Sequence, residues 1–181
     1  MNGLAKSQDS MLRLIRARPA NTTDSYLDLV ESSGELAAIR EIALWWSTYH
    51  LQRTCIHTAR LMRRLGLFDQ AVAEFCAGTA ASPFSEEIGM QFVAAMSKHA
   101  DPLVASMAQL EAALLKVRGG SAARYSIEWD RNPNDVFRAL EQSGELPASE
   151  GMPCYFVEVA ANIRGMVCCT YFGYDGPIRL Y

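Results

Sequence analysis

DPLVASMAQLEAALLKVRGG (101–120) runs directly into SAARYSIEWDR (121–131), and the change of period between the two decides the fold. In the first segment Asp101-Pro102 pairs a capping residue with a proline at the first helical position. Leu103, Met107, Leu110, Leu114 and Val117 then recur at intervals of three and four, the stripe of an amphipathic helix. Gly119-Gly120 ends it. In the second segment Tyr125, Ile127 and Trp129 alternate with Ser126, Glu128 and Asp130, the period of two that marks a half-buried strand.

On the N-terminal side the spacing stays helical. Asp24 is placed to cap a short helix containing Tyr26, Leu27, Leu29 and Val30, and Ser33-Gly34 punctuates after it. Glu35 to Leu65 is the longest candidate, predicted to break or bend near Thr48–Thr54, with Gly66 closing it. Asp69 is placed to cap the next helix, which ends at Ala81-Ser82-Pro83. Ser85-Glu86-Glu87 opens another that runs to about His99, its acids in the first turn, where the helix dipole favours them. On the C-terminal side Asn132-Pro133 caps a short helix. A turn-rich stretch follows over 144–153, then strands over 154–161 and 166–172 joined by a hairpin at 162–165. The tail is expected to add a short edge strand or to extend away. The fold expected is α+β: a bundle of about five or six helices, then a small β-α-β-β sheet with an open edge. The expected division is a flexible segment over 1–20, a helical domain over 21–120 and a small sheet domain over 121–181.

The chain has 181 residues, 50% hydrophobic and 20% charged, with a net charge of −3. High apolar content with low net charge excludes a disordered chain. Seventeen basic against 20 acidic side chains disfavours nucleic-acid binding through bulk charge. The whole acidic excess lies after Gly120, where five bases meet eight acids; before it twelve meet twelve. No apolar run reaches the roughly 18 residues of a membrane span, and Arg13, Arg16 and Arg18 interrupt the only candidate for a signal segment. Five cysteines without a CxxC pair read as reduced thiols in the cytoplasm.

The sequence carries no GxSxG, HExxH, P-loop or GxGxxG motif. His50 and His57, about 10 Å apart on a continuous helix, are too distant to share a metal without further ligands, and no metal site is expected. Cys168 and Cys169, adjacent in a strand, point to opposite faces. They serve as small buried hydrophobes or, together with Cys154, in a thiol-dependent reaction. Arg53, Arg60 and Arg64, with His57 among them, form a basic stripe if the helix is continuous: a solvated face, a docking face for an acidic partner, or a contact with DNA. Trp45, Trp46 and Tyr49 put large aromatics on more than one helix face, so one tryptophan fills the core and the other packs on a further element or a partner.

The order of the segments WWSTYHLQRTCIHTARLMRRLGLFDQAVAEF (45–75), SPFSEEIGMQF (82–92), HADPLVASMAQLEAALLKVRGG (99–120) and YSIEWDRNPNDVFRAL (125–140) resembles the MbnC family, the small partner subunits of methanobactin biosynthesis. It resembles more loosely the wider group of helical proteins encoded beside multinuclear non-haem iron oxidative enzymes. The resemblance spans residues 35–172 and is one of pattern and segment order. It implies a heterodimer with a larger iron-containing oxidative enzyme of the MbnB type, which converts cysteines of a ribosomal precursor peptide to oxazolone and thioamide groups. The iron belongs to the larger subunit and no cofactor to this chain, which helps hold the leader peptide. On that basis a leader strand added to the sheet edge is expected to meet Val157, Val159, Met166, Cys168 and Thr170. The enzyme subunit is expected on Trp45, Trp46, Tyr49, Arg53, Arg60 and Arg64.

Overall fold

The computed structural model describes residues 3–16, 25–79, 87–152, 154–171 and 174–176. The fold is α+β. Seven helices precede the sheet among the described residues: α1 (Gly3–Ile15), α2 (Ser25–Glu31), α3 (Gly34–Thr54), α4 (Ile56–Arg64), α5 (Phe68–Gly78), α6 (Glu87–Met96) and α7 (Pro102–Arg118). Then come β1 (Tyr125–Trp129), α8 (Pro133–Gln142), β2 (Tyr155–Val159), β3 (Val167–Tyr171) and β4 (Tyr174–Gly176).

Local capping sets the starts of α3, α7 and α8; at α5 the N-cap is Leu67, which makes no side-chain bond, and Asp69, expected as the cap, stands in the first turn. Ser33 accepts from the Leu36 N–H at the head of α3. Asp101 accepts from the Leu103 N–H at 2.8 Å and Asn132 from the Asn134 N–H at 3.0 Å, each before a proline at the first helical position. The long helical stretch breaks at Cys55, one residue beyond the expected region. The Asp24 cap and the Ala81-Ser82-Pro83 and Ser85-Glu86 signals lie outside the described residues.

At the N-terminus Gly3–Ile15 forms a helix that the sequence pattern does not announce. Its Leu14 is fully buried with Leu27 of α2 and Leu36 of α3, and Met11, Ile15 and Val30 pack around them. Arg40 Nε donates to the Leu14 carbonyl at 2.9 Å and so occupies an orphan acceptor in the last turn of α1. Met11, Leu14 and Ile15 carry the helical spacing over a single turn, too short a run to announce a helix beside Arg13 and the exposed Leu12.

The sheet is antiparallel throughout, in the order β1-β2-β3-β4. Tyr125, Ile127 and Trp129 align with Val159, Val157 and Tyr155, and these with Val167, Cys169 and Tyr171. From Tyr125 to Cys169 that row faces the helices. One core joins both halves: Leu51, Leu61, Met62, Phe92, Met107 and Leu114 of the helices are continuous with Ile127, Trp129, Val157, Val159 and Val167 of the sheet. This core spans residue 120, because α7 packs on α4 and α6 and also on β1 and β2.

Candidate functional site

The exposed apolar surface is concentrated on α3. Leu36, Ser47 and Leu51 are buried on one side of this helix. On the opposite side Ile39, Ile42, Trp45, Trp46 and Tyr49 are 45, 57, 59, 43 and 41% exposed. Both tryptophans are on the surface, so neither fills the core as one was expected to. The rings build one another: Trp45 stacks on Tyr49 with centroids 5.7 Å apart, and Trp46 meets both edge-on. Arg53 lies over the Tyr49 ring and donates to its hydroxyl at 3.1 Å. Among the described residues, the neighbouring elements cover the Leu36, Ser47 and Leu51 side of α3 and leave this apolar side exposed.

The expected basic stripe is divided by the break at Cys55. Arg53 ends α3, whereas Arg60 and Arg64 sit one turn apart on α4. Arg64 has a structural task, since its Nη2 donates to the Ser143 and Gly144 carbonyls at 2.9 and 3.0 Å, at the left-handed end of α8. The structure thus brings Trp45, Trp46, Tyr49 and Arg53 together and leaves Arg60 and Arg64 outside the group.

Sequence reasoning missed Glu111. It is buried on α7, and its Oε1 and Oε2 accept from the His57 and Thr58 N–H groups at 2.9 and 2.8 Å. It caps α4 from another helix, where Cys55 offers no side-chain cap. Burial pushes its carboxyl up; hydrogen bonds from Thr58 and His57 and the Arg118 charge oppose this. The signal was an acid inside the α7 stripe, four residues after Met107 and three before Leu114. His57 packs edge-on against Phe137. Burial first, then Arg118 and Arg60, lowers its pKa to about 4. The break also places His50 and His57 on separate helices.

The five candidate peptide-lining residues do not form one surface. Val157 and Val159 are fully buried against the helices. Cys168 and Thr170 lie on the other face, aligned with Glu158 and Phe156 of β2 and, beyond those, with Ser126 and Glu128 of β1. Met166 belongs to the hairpin loop, its backbone in the left-handed region (φ 66°), and packs on the core. The pairing register puts 157 opposite 169, and thereby 168 on the far side. At the β1 edge Ser106 of α7 donates to the Glu128 carbonyl at 2.8 Å.

All five cysteines are free. Cys168 and Cys169 take opposite faces, as expected from the strand. Burial raises the Cys55 thiol to about 12 and Cys169 to about 11. Partial desolvation and Glu150 push Cys154 up. These three thiols stay protonated at neutral pH, the opposite of an activated nucleophile. Asp130 and Arg131 pair through two 2.8 Å bonds, with Ser149 donating to Asp130 and Arg131 to the Pro147 carbonyl. This cluster ties the segment around Pro147 and Ser149 to the end of β1. Among the described residues no three His, Cys, Asp or Glu side chains are grouped to hold a metal, and no helix is long and apolar enough to cross a membrane. Comparison with family models, curated proteins and solved structures gives no match.

Proposed function

We propose that this chain is a protein-binding subunit that pairs with a larger iron-containing oxidative enzyme of the MbnB type. In the cytoplasm, it holds the leader of a ribosomal precursor peptide while that enzyme converts peptide cysteines to oxazolone and thioamide groups. The observation that carries the pairing is the outer side of α3, where five large apolar side chains stand in solvent along one helix face. Aromatics with an arginine beside them are the side chains most enriched at interface hot spots. The nature of the enzyme and peptide rests on the resemblance in segment order.

The peptide is assigned to a sheet edge. Strand addition supplies backbone hydrogen bonds there, and β1 and β4 are the outer strands among the described residues. Free cysteines are in keeping with a reducing compartment. The test is co-expression with an iron-containing oxidative enzyme of the MbnB type and a cysteine-containing precursor peptide. The expected result is a stoichiometric complex with iron in the larger chain and a mass change in the peptide that needs both chains. Peptide modification by this chain alone, or the absence of a complex, overturns the proposal.

A further inference from the structure

Two charges complete the outer face of α3. Glu35 and Arg53 are both exposed and stand 18 residues apart. At 3.6 residues per turn that is five whole turns, about 27 Å along the axis, so the two lie on one line of the helix. Ile39, Ile42, Trp46 and Tyr49 flank that line between them, with Trp45 beside Tyr49. The face therefore reads acid, five turns of apolar surface, base.

Such a face is complementary to itself in one direction only. Laid antiparallel on a second copy, with the two-fold axis at the level of Leu44, Glu35 meets Arg53 of the other copy at both ends. Ile39 then meets Tyr49, and Ile42 meets Trp46, each pairing made twice by symmetry. Laid parallel, Glu35 faces Glu35 and Arg53 faces Arg53, and both ends repel. We infer that the isolated chain forms a two-fold dimer through antiparallel α3 helices, with Glu35 of each copy paired to Arg53 of the other. The apolar face is of the order of the largest patch on a typical monomer, about 300–600 Å². Two such faces bury about 1,000 Å², the lower bound of a specific interface, so the dimer is weak and reversible. The inference goes beyond the proposed function and does not rest on it, although both use one face and are mutually exclusive in time.

The experiment is sedimentation equilibrium of the full chain alone over a range of concentrations. The wild type is expected to show a concentration-dependent monomer–dimer equilibrium. Glu35→Arg and Arg53→Glu each place like charges at both ends and weaken dimerisation roughly tenfold. Combining the two restores the affinity to near the wild-type value, because the swapped ends match again. Trp46→Ala, checked for folding by circular dichroism, weakens the dimer without rescue by the charge swap. A chain that stays monomeric throughout, or a double variant no tighter than the singles, overturns the inference. Neither result bears on whether the enzyme subunit binds, which co-expression reads separately.

Discussion

Glu111 shows how a single side chain decides a local structure. The first turn of α4 has no capping side chain of its own, and two of its N–H groups reach the Glu111 carboxylate. Glu111→Ala leaves both buried without an acceptor and is expected to cost about 2–4 kcal/mol in chemical denaturation. His57 gives a pH dependence with a definite sign. Its ring takes a proton near pH 6.5 when unfolded but near 4 when folded, so its contribution is complete above about 6.5 and is lost as the pH falls toward 4. Glu111, with its folded pKa raised, slopes the other way, its share declining as the pH rises through its folded pKa. Replacing His57 by Phe, which keeps the edge contact with Phe137, isolates the imidazole. Between pH 6.5 and 4 the wild type is expected to lose up to about 3 kcal/mol more than His57→Phe, the worth of that pKa difference. Denaturant titrations at several pH values check it. Gly89 is constrained by space alone: a Cβ there stands 2.9 Å from Thr54 Oγ1 and 3.4 Å from Cys55 Sγ. Gly89→Ala should destabilise by about 1–3 kcal/mol through overpacking at the α3–α4 break.

At the scale of the element, the starts and stops written in local chemistry are those that were legible. Asp101-Pro102, Asn132-Pro133 and Gly119-Gly120 each act within one turn of chain; α7 begins and ends, and α8 begins, where those residues say. Asp101→Ala is expected to lower stability by about 1 kcal/mol, with Asp101→Ser retaining most of it; thermal melts of the two variants decide. Helix α1 escaped detection because its few apolar residues gain their burial from Leu27 and Leu36, 13 and 22 positions further on from Leu14. The sheet candidates failed for a related reason. Alternation says that 157 and 159 share a face and that 168 and 170 share a face, but not that the two faces differ. That depends on the offset between strands, where a slip of one residue inverts the answer.

At the scale of the whole molecule, the helical and sheet halves stand or fall together. Met107 and Leu114 of α7 belong to the same core as Ile127, Trp129 and Val157. A fragment ending at Gly120 is therefore expected to lose cooperative unfolding and near-ultraviolet circular dichroism, since its largest buried face would meet water.

The sequence by itself determined the α+β class, the order of the elements from α2 to β3, the two ends of α7 and the start of α8, because period and capping are properties of neighbouring residues. It also marked Trp45, Trp46, Tyr49 and Arg53 as unusual company on one helix. Only the tertiary structure decided that both tryptophans lie outside, that Arg64 is spent on α8, that Val157 and Val159 are core, and that Glu111 serves α4. Burial and pairing are relations between distant segments, and which side of α3 the rest of the chain covers follows from packing that no local pattern encodes.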